Sequence, residues 1–126
     1  MLKPEIEEFA KIVVQLVRDE AIRNCDALLH EDANSPVASR WRSARAGGEQ
    51  GICEAMIADC VDKAVSSLLR AIDQGDLVIS FTASNGKTIS LPEEGLGELC
   101  GWYNGTDGWR AKYSKERFVE DCSDLK

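Results

Sequence analysis

Histidine occurs once in this sequence, proline three times, and aromatic residues make up only 6% of it. With His30 as the sole imidazole, a serine or cysteine triad has one base to draw on and is not expected. His30 stands beside Glu31 and Asp32 at the expected end of a helix, where the dipole alone favours it. Two carboxylates without a second imidazole make a poor transition-metal site, so neither a metal nor a cofactor is expected. No D-x-D-x-D-G loop for calcium is present. "GLGELCG" (residues 95–101) lacks the lysine and Ser/Thr of a phosphate loop and the G-x-G-x-x-G spacing of a dinucleotide fold, and it follows Glu93 and Glu94.

Long apolar runs are missing too. Nothing approaches the roughly 20 apolar residues that span a bilayer, so no membrane partner is expected. The opening "MLKPEIEEF" turns acidic at once, and a secretory signal is not expected. The five cysteines (Cys25, Cys53, Cys60, Cys100, Cys122) are odd in number and form no C-x-x-C pair. Reduced thiols in the cytoplasm, acting as small hydrophobes, are the reading this supports.

What is present is a 126-residue chain with 44% hydrophobic and 29% charged residues, a net charge of −7 and a pI near 4.7. That length and balance predict one folded domain over residues 1–126. The acidity disfavours nucleic-acid phosphates and anionic lipid as direct partners and steers basic proteins toward the surface.

From Pro4 to about Leu29, Ile6, Phe9, Ile12, Val13, Leu16, Val17, Ala21, Cys25, Leu28 and Leu29 recur at helical steps. Glu5, Glu7 and Glu8 suit the first turn, and Glu7–Lys11 and Asp19–Arg23 are expected i,i+4 pairs. Ser35 with Pro36 signals the start of a short helix ending at Gly47 and Gly48. A second long helix is expected over 50–74, its apolar stripe running through Ile52, Cys53, Met56, Ile57, Cys60, Val61, Ala64, Val65, Leu68, Leu69 and Ile72. Gly75 ends it.

"DLVISFTASNGKTISLP" carries the β signal, a hairpin over 77–91. A two-residue Asn-Gly turn would set Phe81 against Ser90 and mix the faces. A three-residue loop, Ser84-Asn85-Gly86, pairs Phe81 with Ile89, Ile79 with Leu91 and Thr82 with Thr88, and is preferred. After Pro92 a short helix is expected, weakened by Gly95, Gly97 and Gly101. Alternation in "GWRAKY" predicts a candidate third strand over 109–113, and Ser114 a last helix over 115–122. The fold class is α+β: two long antiparallel helices and a short one packed on a small antiparallel sheet.

Two clusters compete for function. Trp102, Tyr103, Trp109 and Tyr113 crowd into one glycine-punctuated stretch. Core closure accounts for some of these rings. Recognition anchors around "NGTDG" account for the others, giving Trp102, Tyr103 and Trp109 as a partner-binding surface edged by Arg110 and Lys112. The second cluster is the basic island Arg40, Trp41, Arg42 and Arg45. It reads as an anion site with a stacking ring, or as arginines paired to acidic neighbours with Trp41 in the core; the latter is favoured.

The function expected is an acidic cytoplasmic protein-interaction module, an inhibitor or neutraliser that masks a basic or nucleic-acid-handling protein. A homo-oligomer is compatible with it. The alternatives are a small enzyme using paired carboxylates with Tyr103 or Tyr113 in a cleft, and a ligand-binding module with tryptophans lining a pocket.

Overall fold

The structure, a computed structural model, describes residues 3–29, 35–45 and 50–118. Its first long helix is built from three consecutive pieces, α1 (Pro4–Ile12), a wider π segment π1 (Val13–Arg18) and α2 (Asp19–Leu28). The backbone stays right-handed helical through both junctions, at Val13 and Asp19. Pro4 fills the first turn as expected. The first-turn carboxylates do more than complement the dipole. Glu8 accepts from the Ser84 amide and hydroxyl, 2.8 and 2.6 Å away, and Glu5 accepts from Asn85 at 2.8 Å. The helix thus holds the hairpin loop, and the Asn85 bond lowers the Glu5 pKa.

Helix α3 (Pro36–Arg45) opens on a Ser35 cap, whose hydroxyl accepts from the Ala38 amide at 3.1 Å. Its expected end at Gly47 and Gly48 lies outside the described residues. Helix α4 (Gln50–Asp73) runs antiparallel to the first long helix. Ile22 packs with Ile57 and Ala58 at one end, and Ile6, Ala10, Val13 and Val14 with Val65, Leu69 and Ile72 at the other.

The sheet is a two-stranded hairpin, β1 (Ser80–Thr82) and β2 (Thr88–Ser90), in the expected register: Ser80 opposite Ser90, Phe81 opposite Ile89, Thr82 opposite Thr88. The Ala83 amide donates to the Lys87 carbonyl (2.8 Å), closing the three-residue loop, and Gly86 supplies the left-handed backbone at φ 86°. Phe81 meets Phe9 edge-on at 5.5 Å, so the apolar hairpin face lies on the first helix.

The chain then forms three short helices, α5 (Leu91–Glu94), α6 (Leu99–Asn104) and α7 (Trp109–Tyr113). The last corrects the expected third strand. In a strand Trp109 and Arg110 would point to opposite faces; here both are buried while Ala111 and Lys112 are exposed, a helical pattern. Residues 115–118 are not helical, which corrects the start of the expected last helix; 119–122 lie outside the described residues.

The largest departure concerns the two long helices. Each residue turns an α-helix by about 100°, and a π segment slips the following residues by one position. Up to Val14 the expected stripe faces inward, with Ile6 and Val13 buried and Phe9 and Ile12 half-buried, and Ala10 and Val14 join it. Beyond it Arg18 and Asp19 are buried instead, and Leu16 and Val17 stand 66% and 47% exposed. Arg23 accordingly pairs with Glu20 at 3.1 Å, since Asp19 has turned inward. In α4 half of the expected stripe holds, with Ile57, Val65, Leu69 and Ile72 buried, but Asp62 and Ser66 are buried beside them while Met56, Cys60, Ala64 and Leu68 face outward at four-residue steps.

Candidate functional site

Between the two apolar clusters lies a network of buried charges. Its centre is the Asp62 carboxylate of α4. Arg18 donates Nε to Oδ1 (2.7 Å) and Nη2 to Oδ2 (3.4 Å), Arg110 donates Nη1 to Oδ2 (2.8 Å), and the Tyr103 hydroxyl donates to Oδ1 (2.6 Å). Arg18 also reaches Asp19 at 2.7 Å, Ser114 Oγ at 2.8 Å and the Arg117 carbonyl. Asp19 in turn accepts from Ser114 Oγ (3.0 Å) and from the Lys115 amide (2.7 Å). Both guanidinium groups lie against the Phe118 ring, 5.6 Å from Arg18 and 5.0 Å from Arg110.

Each element has a reason to deliver its group here. The π segment rotates Arg18 and Asp19 inward together. Helix α4 places Asp62 one turn from Ala58 and Val65, between the two apolar clusters. Helix α7 buries adjacent residues in different settings, Trp109 among rings and Arg110 at Asp62. The segment after α7 is tied down by Asp19 and by a bidentate Arg117–Asp26 pair at 2.9 and 2.8 Å.

The charges balance, with two arginines against two aspartates. Burial opposes the charge on Arg18, but the bonds and charge of Asp62, then Asp19, outweigh it and its pKa is raised. Tyr103 is raised as well, by burial first and then by the Asp62 carboxylate it donates to. Both Asp62 oxygens are already engaged, and Tyr103 is committed to one of them. The arrangement therefore works as a lock joining both long helices, α6, α7 and residues 114–118. It offers no unengaged base to a substrate.

The expected aromatic surface is mostly core. Tyr103 is fully buried, Trp109 is 2% exposed, and Arg110 is buried with them. Trp109 packs edge-on against Phe9 at 6.1 Å and lies tilted against the half-buried Trp102 at 6.2 Å. Its Nε1 finds no acceptor among the described residues. Glycines flank these rings for a packing reason: a Cβ on Gly108 would run into the Trp102 carbonyl, so only glycine lets the 105–108 loop fold back onto α6. Of the expected partner-binding set, Lys112 and part of Trp102 reach the surface.

In the basic island, the half-buried Trp41 packs on the cluster of Ile22, Leu29, Ile57 and Ala58. Arg40 is exposed and Arg42 half-buried. The Arg45 side chain, His30, Glu31, Asp32, Glu120, Asp121 and Cys122 lie outside the described residues. Cys25, Cys53, Cys60 and Cys100 are free thiols. Burial, with Asp26 and Cys60 nearby, raises the Cys25 thiol, which keeps it protonated and unreactive. Among the described residues no group of three or more His, Cys, Asp or Glu is arranged to hold a metal ion, and no helix is long and apolar enough to cross a membrane.

Periodicity could not reveal Arg18, Asp19 and Asp62 as a cluster. No family model, curated protein or solved structure matches the chain.

Proposed function

We propose that the protein acts by binding another protein, as an acidic interaction module that masks a basic partner. The observation that carries this reading is the displaced apolar flank of the two long helices. Turning Arg18, Asp19 and Asp62 inward leaves Leu16, Val17, Met56 (58% exposed) and Leu68 on the surface. Large side chains left in water in this way favour association with a partner. The net charge of −7 selects basic proteins, and the network at Asp62, already saturated, argues against the carboxylate–tyrosine enzyme. The odd cysteine count and the free thiols suit a reducing compartment such as the cytoplasm.

The test is affinity capture from a reducing lysate of the source organism at low and high salt. The expected result is one stoichiometric partner with a basic surface, released as salt rises. Capture of no partner, or of one that is acidic and insensitive to salt, would reject this reading.

A further inference from the structure

The end of the domain where α4 runs into β1 and β2 runs into α5 and α6 differs from the rest of the surface. Hydrogen bonds from the Asp73 carboxylate and from the backbone join its two stretches of chain. Asp73 accepts from the Leu99 and Cys100 amides, each at 2.9 Å, and the Ile79 carbonyl accepts from the Leu91 amide at 3.1 Å. The Gly95 amide returns to the Leu91 carbonyl at 2.8 Å. Residues 73–79 and 91–99 are therefore neighbours. Together they hold Asp73, Asp76, Glu93, Glu94 and Glu98 and not one lysine or arginine. Asp73 is engaged by α6 and Glu94 by Lys3 at 2.8 Å, while Asp76, Glu93 and Glu98 are exposed.

Two apolar side chains stand out from this acidic rim. Val78 is 75% exposed and Leu96 73%, the two most exposed large hydrophobic side chains among the described residues. Leu96 also has φ 54°, the left-handed region, where it is the one non-glycine among the described residues. A leucine there pays twice, in backbone strain and in apolar surface left in water, and it supports nothing in the core. Glycine or asparagine would hold the same turn more easily. The adjoining turn is fixed: a Cβ on Gly95 would meet the Leu91 carbonyl and the Leu99 side chain at 2.6 Å. The loop thus presents Leu96 outward beside a close-packed glycine.

We propose that Val78 and Leu96, rimmed by Asp76, Glu93 and Glu98, form the docking site for a basic segment of the partner protein. The partner's apolar side chains would cover the two knobs, and its lysines or arginines would meet the rim. Charge complementarity selects this occupant, since an acidic segment would face three exposed carboxylates of like charge. The assignment rests on the interaction reading above and adds a second contact, for a basic segment, apart from the flank of the long helices.

The test is a two-dimensional amide NMR titration with a synthetic peptide alternating lysine and leucine, its glutamate–leucine counterpart serving as control. Shifts are expected at 76–79 and 93–98 with the basic peptide alone. Leu96→Asn retains a residue that tolerates the left-handed backbone, so its melting temperature should be no lower than wild type. Its affinity for the peptide should nevertheless fall about tenfold, and that of Glu93→Lys/Glu98→Lys by a similar factor. Shifts along Met56–Leu68 instead, no shifts at all, or unchanged affinity in both variants would overturn the docking site. A natural partner captured equally well by wild type and Leu96→Asn would overturn it while leaving the interaction reading intact. Failure to capture any partner would reject both.

Discussion

The first long helix divides into two halves that obey different rules. Up to Val14 its buried face is the one its apolar residues mark out, with Ile6, Ala10, Val13 and Val14 against α4. After π1 the inward face begins with Arg18 and Asp19 and only then returns to Ile22 and Leu29. The first half is held by apolar burial, which is non-directional and tolerates many packings. The second half is held by directional bonds to Asp62, Ser114 and Lys115, which tolerate very few. One extra residue in the helix is what allows both halves to face the same way.

The sharpest way to break this comparison is to remove Asp62. Asp62→Ala leaves Arg18 and Arg110 buried without their shared carboxylate, and should destabilise the protein by about 3–5 kcal/mol. A urea denaturation curve would show it, as a large fall in midpoint or as failure to fold. A loss under about 1 kcal/mol would mean that water reaches the arginines and that the network is not a lock.

Next in size is a pair of deletions. Removing Leu16, an exposed residue of π1, should convert the segment to ordinary α-helix and keep both flanking faces inward. The expected cost is about 1 kcal/mol or less. Removing Asn24, eight positions on, should rotate the following residues off α4 and cost several times as much, on the order of 2–4 kcal/mol. Equal costs in thermal melts would show that π1 does not set the phase.

Tyr103→Phe should cost about 1.5–3 kcal/mol, less than the Asn24 deletion, for the loss of a hydrogen bond to a charged group. Its signature lies in pH. Because the folded protein raises the Tyr103 pKa, the stability this contributes is complete below about pH 10, the unfolded value, and is lost as pH rises above it. Urea midpoints should therefore fall with alkaline pH in the wild type and fall less steeply in Tyr103→Phe. Parallel slopes would contradict the burial of this hydroxyl against Asp62.

Much of the fold was legible. Alternation plus a three-residue loop gave the hairpin register, because a slip by one would put Phe81 and Ile89 on opposite faces. Ser35 and Pro36 announced α3 for local reasons, a side-chain cap and a fixed φ. Residues 109–113 were not legible, since five residues barely distinguish a period of two from one of 3.6. Their helical turn was decided by Asp62 drawing Arg110 in beside Trp109. The candidate binding residues shifted for a related reason: rings spaced by glycines serve equally well as core or surface, and Phe9, far away in sequence, claimed Trp109.

By itself, then, the sequence determined the elements whose causes are local: helix starts, the hairpin and its register, the acidic surface and the α+β class. Only the tertiary structure decided which helical faces turn inward. Burying one carboxylate required two arginines, a tyrosine and a π segment from three other stretches of chain, and no spacing rule joins residues 18, 62, 103 and 110. A buried charge must be paired wherever its partners lie, and that demand outweighed the apolar periodicity of both long helices.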